Sequence, residues 1–92
     1  MYRIFFKKSA EKELARLPQS LIHKIFKMTE KMQLNPLLLN SQKLSSYKDL
    51  YRIRIGDYRI IYLLEKAKKK IIITKMLQGI SKKWENLEII MI

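Results

Sequence analysis

Leu50-Tyr51-Arg52-Ile53-Arg54-Ile55-Gly56-Asp57-Tyr58-Arg59-Ile60-Ile61-Tyr62 is the stretch that decides the fold. Two runs of alternating residues flank Gly56-Asp57, a dipeptide suited to a two-residue hairpin turn that needs φ > 0. With that turn in place, register follows by counting. Ile55 should face Tyr58, Arg54 should face Arg59, Ile53 Ile60, Arg52 Ile61, and Tyr51 Tyr62. Alternation then puts Arg52, Arg54 and Arg59 on one side of the ribbon, and Ile53, Ile55, Tyr58 and Ile60 on the other. Like charges directly opposed destabilise a sheet. Three arginines on one ribbon face are poorly explained by stability and well explained by a polyanionic partner. As a structural feature alone, they would be edge charges that deter aggregation.

The whole chain carries the same bias. Twenty Lys+Arg against eight Asp+Glu give a net charge of +12, and the pI is about 10.1. A small, strongly basic domain points to nucleic acid or an acidic protein as partner. A base composition that favours Lys and Ile would also raise the charge, but it leaves the clustering of arginine in one hairpin unexplained. Ninety-two residues, 48% of them hydrophobic, make one domain over 1–92 with a small core. The absence of cysteine excludes disulfides and thiolate metal sites, and the one histidine, His23, receives no role. Apolar runs such as Ile71-Ile72-Ile73 are far too short to span a bilayer, and the first residues show no signal-peptide pattern. The expected location is cytoplasmic, with no membrane partner.

Outward from the hairpin, Tyr2–Phe6 reads as a first strand. Ser9 reads as a helix N-cap, with Glu11 and Glu13 following and Ala10, Leu14 and Leu17 forming the apolar stripe of a helix over 9–17. Pro18 should interrupt it. A second helix is predicted over 19–34, with Leu21, Ile25, Met28 and Met32 on its buried stripe and Lys24, Lys27 and Lys31 opposite. Residues 36–48 read as a polar linker, Lys66–Lys70 as a turn, and Ile71–Leu77 as a strand apolar enough to lie centrally. A short helix is expected around Ser81–Leu87. The predicted fold class is α+β, in the order β-α-α-β-β-β. A two-helix hairpin packs on a mainly antiparallel sheet of roughly four strands.

This order, the Asn35-Pro36 pair after the second helix, Lys43-Leu44 before the hairpin and above all Tyr51–Tyr62 resemble the RelE/ParE superfamily of toxins from type II toxin–antitoxin systems. The resemblance covers about residues 1–77. It implies a toxin that binds the ribosome and cleaves mRNA there, a metal-independent endoribonuclease without cofactor, neutralised by a cognate antitoxin. The alternatives are a ParE-like inhibitor of DNA gyrase, or a catalytically inactive relative that binds only its antitoxin. A basic nucleic-acid-binding domain without toxicity is a third class. Carried over by position, Arg52 and Arg54 take the two basic positions of one hairpin strand, and Arg59 takes the phosphate-clamping position of the next. Arginine suits a bidentate phosphate fork. It is a poor proton acceptor, so charge stabilisation is the expected role.

The resemblance weakens from about residue 78. Family members continue into Gly-(His/Lys)-Arg and then a tyrosine, where this chain has Leu77-Gln78-Gly79-Ile80-Ser81-Lys82-Lys83-Trp84. The expected arginine falls on Gln78 or Gly79, and the tyrosine falls near Lys83, Trp84 or Glu85. Lys82 and Lys83 are candidate replacement cations for RNA, and Trp84 is a candidate base-stacking residue that cannot donate a phenolic proton.

Overall fold

A hairpin of the expected register forms the middle of the sheet in the computed structural model, which describes residues 1–37, 41–44 and 48–78. Five strands and two helices follow in the order β1 (Arg3–Phe6), α1 (Lys8–Ala15), α2 (Gln19–Leu34), β2 (Ser41–Lys43), β3 (Leu50–Ile55), β4 (Tyr58–Glu65) and β5 (Lys70–Gln78). The pairs Ile55↔Tyr58, Arg54↔Arg59, Ile53↔Ile60, Arg52↔Ile61 and Tyr51↔Tyr62 all form as counted. Gly56 makes the turn at φ +57°, with open space where a side chain would stand. A larger residue there would be strained by its backbone rather than by a clash.

The sheet order is β1-β5-β4-β3-β2. β1 pairs with β5 in parallel, and the other pairs are antiparallel. The fold is α+β, as predicted, with two differences. Ser41–Lys43, read as linker, is a fifth strand on the outer edge, pairing Gln42 with Arg52. The first helix starts at Lys8 after an extended Lys7 and has no side-chain cap. Ser9 lies inside it, and its Oγ donates to the Thr74 carbonyl at 3.4 Å. The physical reason is continuity. The Lys7 N–H still donates to the Ile73 carbonyl at 2.9 Å, so the helix begins where the ladder ends.

Pro18 separates the helices as expected. It is extended at the α2 N-cap, and its carbonyl accepts from Leu21 and Ile22, both at 3.0 Å. The missing proline N–H costs nothing at that position. One face of the sheet is covered by both helices. Ala10, Leu17, Ile25, Met28 and Met32 share a buried cluster with Ile53, Ile60, Tyr62, Leu64, Ile71, Ile73 and Met76.

Tyr62 fastens the end of α2 to this core. Its ring is fully buried and stacks on Tyr51 with centroids 5.8 Å apart. Its hydroxyl donates to the Pro36 carbonyl at 2.8 Å. Burial holds its pKa above the ordinary tyrosine value, Tyr51 adds to the rise, and a hydrogen bond with Ser41 opposes it. Raised in the folded state, this group contributes stability that is complete below the unfolded tyrosine pKa of about 10 and is lost as pH rises through the folded value. Tyr62→Phe is therefore expected to flatten the alkaline limb of a stability–pH curve, as read by urea unfolding between neutral pH and about pH 11. At neutral pH the same variant should lose roughly 1 kcal/mol with the Pro36 bond.

Candidate functional site

The second face of the sheet is not covered by the two described helices, although Ile61 on it is 2% exposed, and strand register lays out its side chains in rows. Arg54, Arg59 and Leu77 form one row, and Gln42, Arg52, Ile61 and Lys75 the next. Leu50, Leu63, Ile72 and Phe5 follow, and then Glu65, Lys70 and Arg3. Neighbouring strands lie about 4.8 Å apart. The first two rows therefore concentrate four cations, Arg52, Arg54, Arg59 and Lys75, within a patch on the order of 10 Å across.

The three predicted arginines thus come together. Arg54 and Arg59 are directly opposed, and Arg52 lies two residues along the same strand. The edge strand positions Arg52, whose Nη2 and Nε both donate to Gln42 Oε1, at 3.0 and 3.3 Å. Arg54 Nε donates to the Gly56 carbonyl at 2.9 Å, which anchors that guanidinium beside the turn. Arg52 and Arg59 are half-buried, while Arg54 is exposed. Lys82, Lys83 and Trp84 lie outside the described residues. Among the described residues, no group of three His, Cys, Asp or Glu could hold a metal ion, and no helix is long and apolar enough to cross a membrane.

Sequence reading missed Gln42 and Lys75. Gln42 sits in a three-residue polar strand with no apolar alternation to reveal it. Lys75 is aimed by a β-bulge. β5 pairs through Ile61↔Lys75 and then Tyr62↔Ile73, which leaves Thr74 as the extra residue. The Thr74 hydroxyl donates to the Ile61 carbonyl at 3.1 Å, filling the gap in the ladder. Strict alternation from Ile71 and Ile73 would have sent Lys75 into the core. The bulge turns it to the open face instead and returns Met76, 2% exposed, to the core. A lysine in an apolar row of an otherwise central strand was the signal. Bulges re-aim side chains in this way beside functional sites.

The profile of the ParE toxin family of type II toxin–antitoxin systems, parDE, matches residues 4–79. This chain belongs to that family. The match takes in every described element of the fold except Arg3, the first residue of β1. Toxin RelE3 of Methanocaldococcus jannaschii is 36% identical over 62 residues, which are 63% of this chain and 70% of that protein. The archaeal RelE–RelB complex from Pyrococcus horikoshii OT3 contains a chain similar to this one. Its TM-score is 0.77 at 30% identity, with 84% of this chain and 93% of that chain covered. The isolated Escherichia coli RelE toxin superposes with TM-score 0.77 over the full length of both chains at 19% identity, a likeness of fold. The open sheet face with its arginine rows is thus carried on a RelE/ParE toxin fold.

Proposed function

We propose that this chain is the toxin of a type II toxin–antitoxin pair, acting in the cytoplasm as a ribosome-dependent mRNA endoribonuclease that blocks translation. One observation carries the reading. Arg54 stands directly opposite Arg59, two residues along the strand from Arg52, on the sheet face that the helices leave uncovered. A single-stranded RNA backbone laid across the hairpin would meet all three.

The reaction that fits is attack of a ribose 2′-oxygen on the adjacent phosphorus. The 2′-O–P bond forms as the 2′-hydroxyl gives up its proton to solvent, the P–O5′ bond breaks, and the leaving 5′-oxygen takes a proton from solvent, so that a 2′,3′-cyclic phosphate and a 5′-hydroxyl result. The phosphate gains charge in the transition state, and positioned cations lower that barrier most. Arg59 is assigned the bidentate clamp on the phosphate, and Arg52 and Arg54 the stabilisation of its developing charge. Gln42 is a positioning residue for Arg52. Lys75, in the row of Arg52, supplies a fourth cation that no arginine can imitate, because its ammonium is a compact point charge on a flexible stem. Lys82, Lys83 and Trp84 are proposed as further RNA contacts. The partner that neutralises the toxin is an antitoxin, as the complexes of RelE with RelB from P. horikoshii and E. coli suggest.

Inducing the chain without an antitoxin, while following growth and mRNA 5′ ends, tests the reading. Arrest with new cleavage sites inside translated messages is the expected result. Arrest without cleavage, accompanied by loss of DNA supercoiling, would overturn it in favour of gyrase inhibition. Lys75→Gln is expected to lower the cleavage rate by about tenfold and to reduce the salt dependence of RNA binding by roughly one phosphate contact.

A further inference from the structure

The lower two rows of the open face hold a second feature, away from the arginines. Phe5 is exposed (39%) on the outermost strand. The Arg3 guanidinium lies 5.5 Å from its ring centroid and the Lys70 ammonium 5.4 Å. Arg3 and Lys70 are themselves directly opposed in the parallel pair of β1 and β5. Two like charges at one register position cost stability. Glu65, across from Lys70 on β4, offsets part of that cost but also faces Lys68, whose Nζ is 4.0 Å from its carboxylate. Protecting an edge strand needs one charge and no aromatic ring. A ring with two cations is what a stacked base with its flanking phosphates requires.

We propose that Phe5, Arg3 and Lys70 form a second nucleotide subsite, taking a base of the same single-stranded RNA whose reacting phosphate lies at Arg52, Arg54 and Arg59. The inference rests on the nuclease reading for the identity of that strand. Phe5 lies in the row of Leu63, four residues along β4 from Arg59, and two strands across. The separation is therefore on the order of 16 Å, a few nucleotides of extended RNA. Half-buried Leu63 and Ile72 make an apolar floor between the two subsites. The base on Phe5 stacks by its face, so this subsite lengthens the footprint without reading sequence.

The test is fluorescence anisotropy with labelled single strands of about four and about twelve nucleotides. Both carry 2′-deoxy sugars so that no cleavage intervenes. Phe5→Leu keeps an apolar side chain on the strand. It is expected to weaken the longer strand about tenfold and leave the shorter one unchanged. Phe5→Trp should hold or tighten the longer strand. The double variant Arg3→Gln, Lys70→Gln should reduce its salt slope by about two contacts. Equal binding of both strands by wild type and Phe5→Leu would overturn the subsite, and so would an equal loss on both. Loss of antitoxin capture in Phe5→Leu with RNA binding intact would assign the patch to a protein partner and likewise overturn it. Arg59→Ala separates the two ideas. If it weakens both strands while Phe5→Leu weakens neither, the nuclease reading stands and the subsite falls. If Arg59→Ala weakens neither, the strand does not run over the hairpin and the subsite falls, while the nuclease reading is decided by cleavage on ribosomes.

Discussion

Arg59→Ala is expected to cut mRNA cleavage by a hundredfold to about a thousandfold and to release the growth arrest expected of the wild-type chain. That is the usual loss when one preorganised donor to a developing oxyanion is removed. Arg59 sits opposite Arg54 at the centre of the cationic rows, so its clamp cannot be taken over by a side chain from the far edge. Arg59→Lys restores the charge without the planar fork and should recover only part of the rate. The measurement pairs single-turnover cleavage on programmed ribosomes with thermal unfolding of each variant. Undiminished arrest in a folded Arg59→Ala protein would remove this residue from the mechanism. Unchanged arrest in both variants would leave the phosphate to Arg52 and Arg54.

Tyr62→Ala is expected to cost about 3–5 kcal/mol, the scale of a large aromatic deleted from a packed core. Its ring is the largest fully buried side chain among the described residues, and its hydroxyl ties β4 to Pro36 at the end of α2. Small domains have only about 5–15 kcal/mol in total. The urea midpoint should therefore fall by about 2 M or more, or the protein should fail to fold at all. Tyr62→Phe, which keeps the ring, should retain most of the stability. If the two variants fall equally, the hydroxyl and not the ring holds this corner of the fold.

The hairpin was legible because one dipeptide, Gly56-Asp57, reduces its register to counting, and every pair then follows. The second helix was legible to the residue, since Pro18 and Asn35-Pro36 bound it chemically. What escaped was held by tertiary pairing rather than local pattern. Ser41–Lys43 has no apolar alternation, and its strand exists through β3. Ser9 looked like a cap because its local sequence competes well for that role, yet the ladder from β1 runs on through Lys7 and starts the helix without it. The three arginines were readable as a group, because a hairpin puts alternate residues on one face. Lys75 and Gln42 were not, because a bulge and an edge pairing brought them there. Lys82, Lys83 and Trp84 lie outside the described residues, where the sequence reading stands as a proposal.

The parallel pairing of β1 with β5 sets a condition on when this molecule exists. Arg3 finds its partner 67 positions later, at Lys70, and β5 lies between β1 and β4 rather than at an edge. β1 has no neighbour in the sheet until Lys70–Gln78 are present. A chain still being synthesised can form its hairpin and its two helices, but not the surface that joins them. Contacts so distant in sequence also slow folding, since the loop must close before it is rewarded. Arg52, Arg54 and Arg59 come with the hairpin, but Lys75 joins them only once β5 has paired with β4. A toxin assembled in this way offers its partner a window, between synthesis and the closing of the sheet, in which the hairpin and the first strand have not yet been joined.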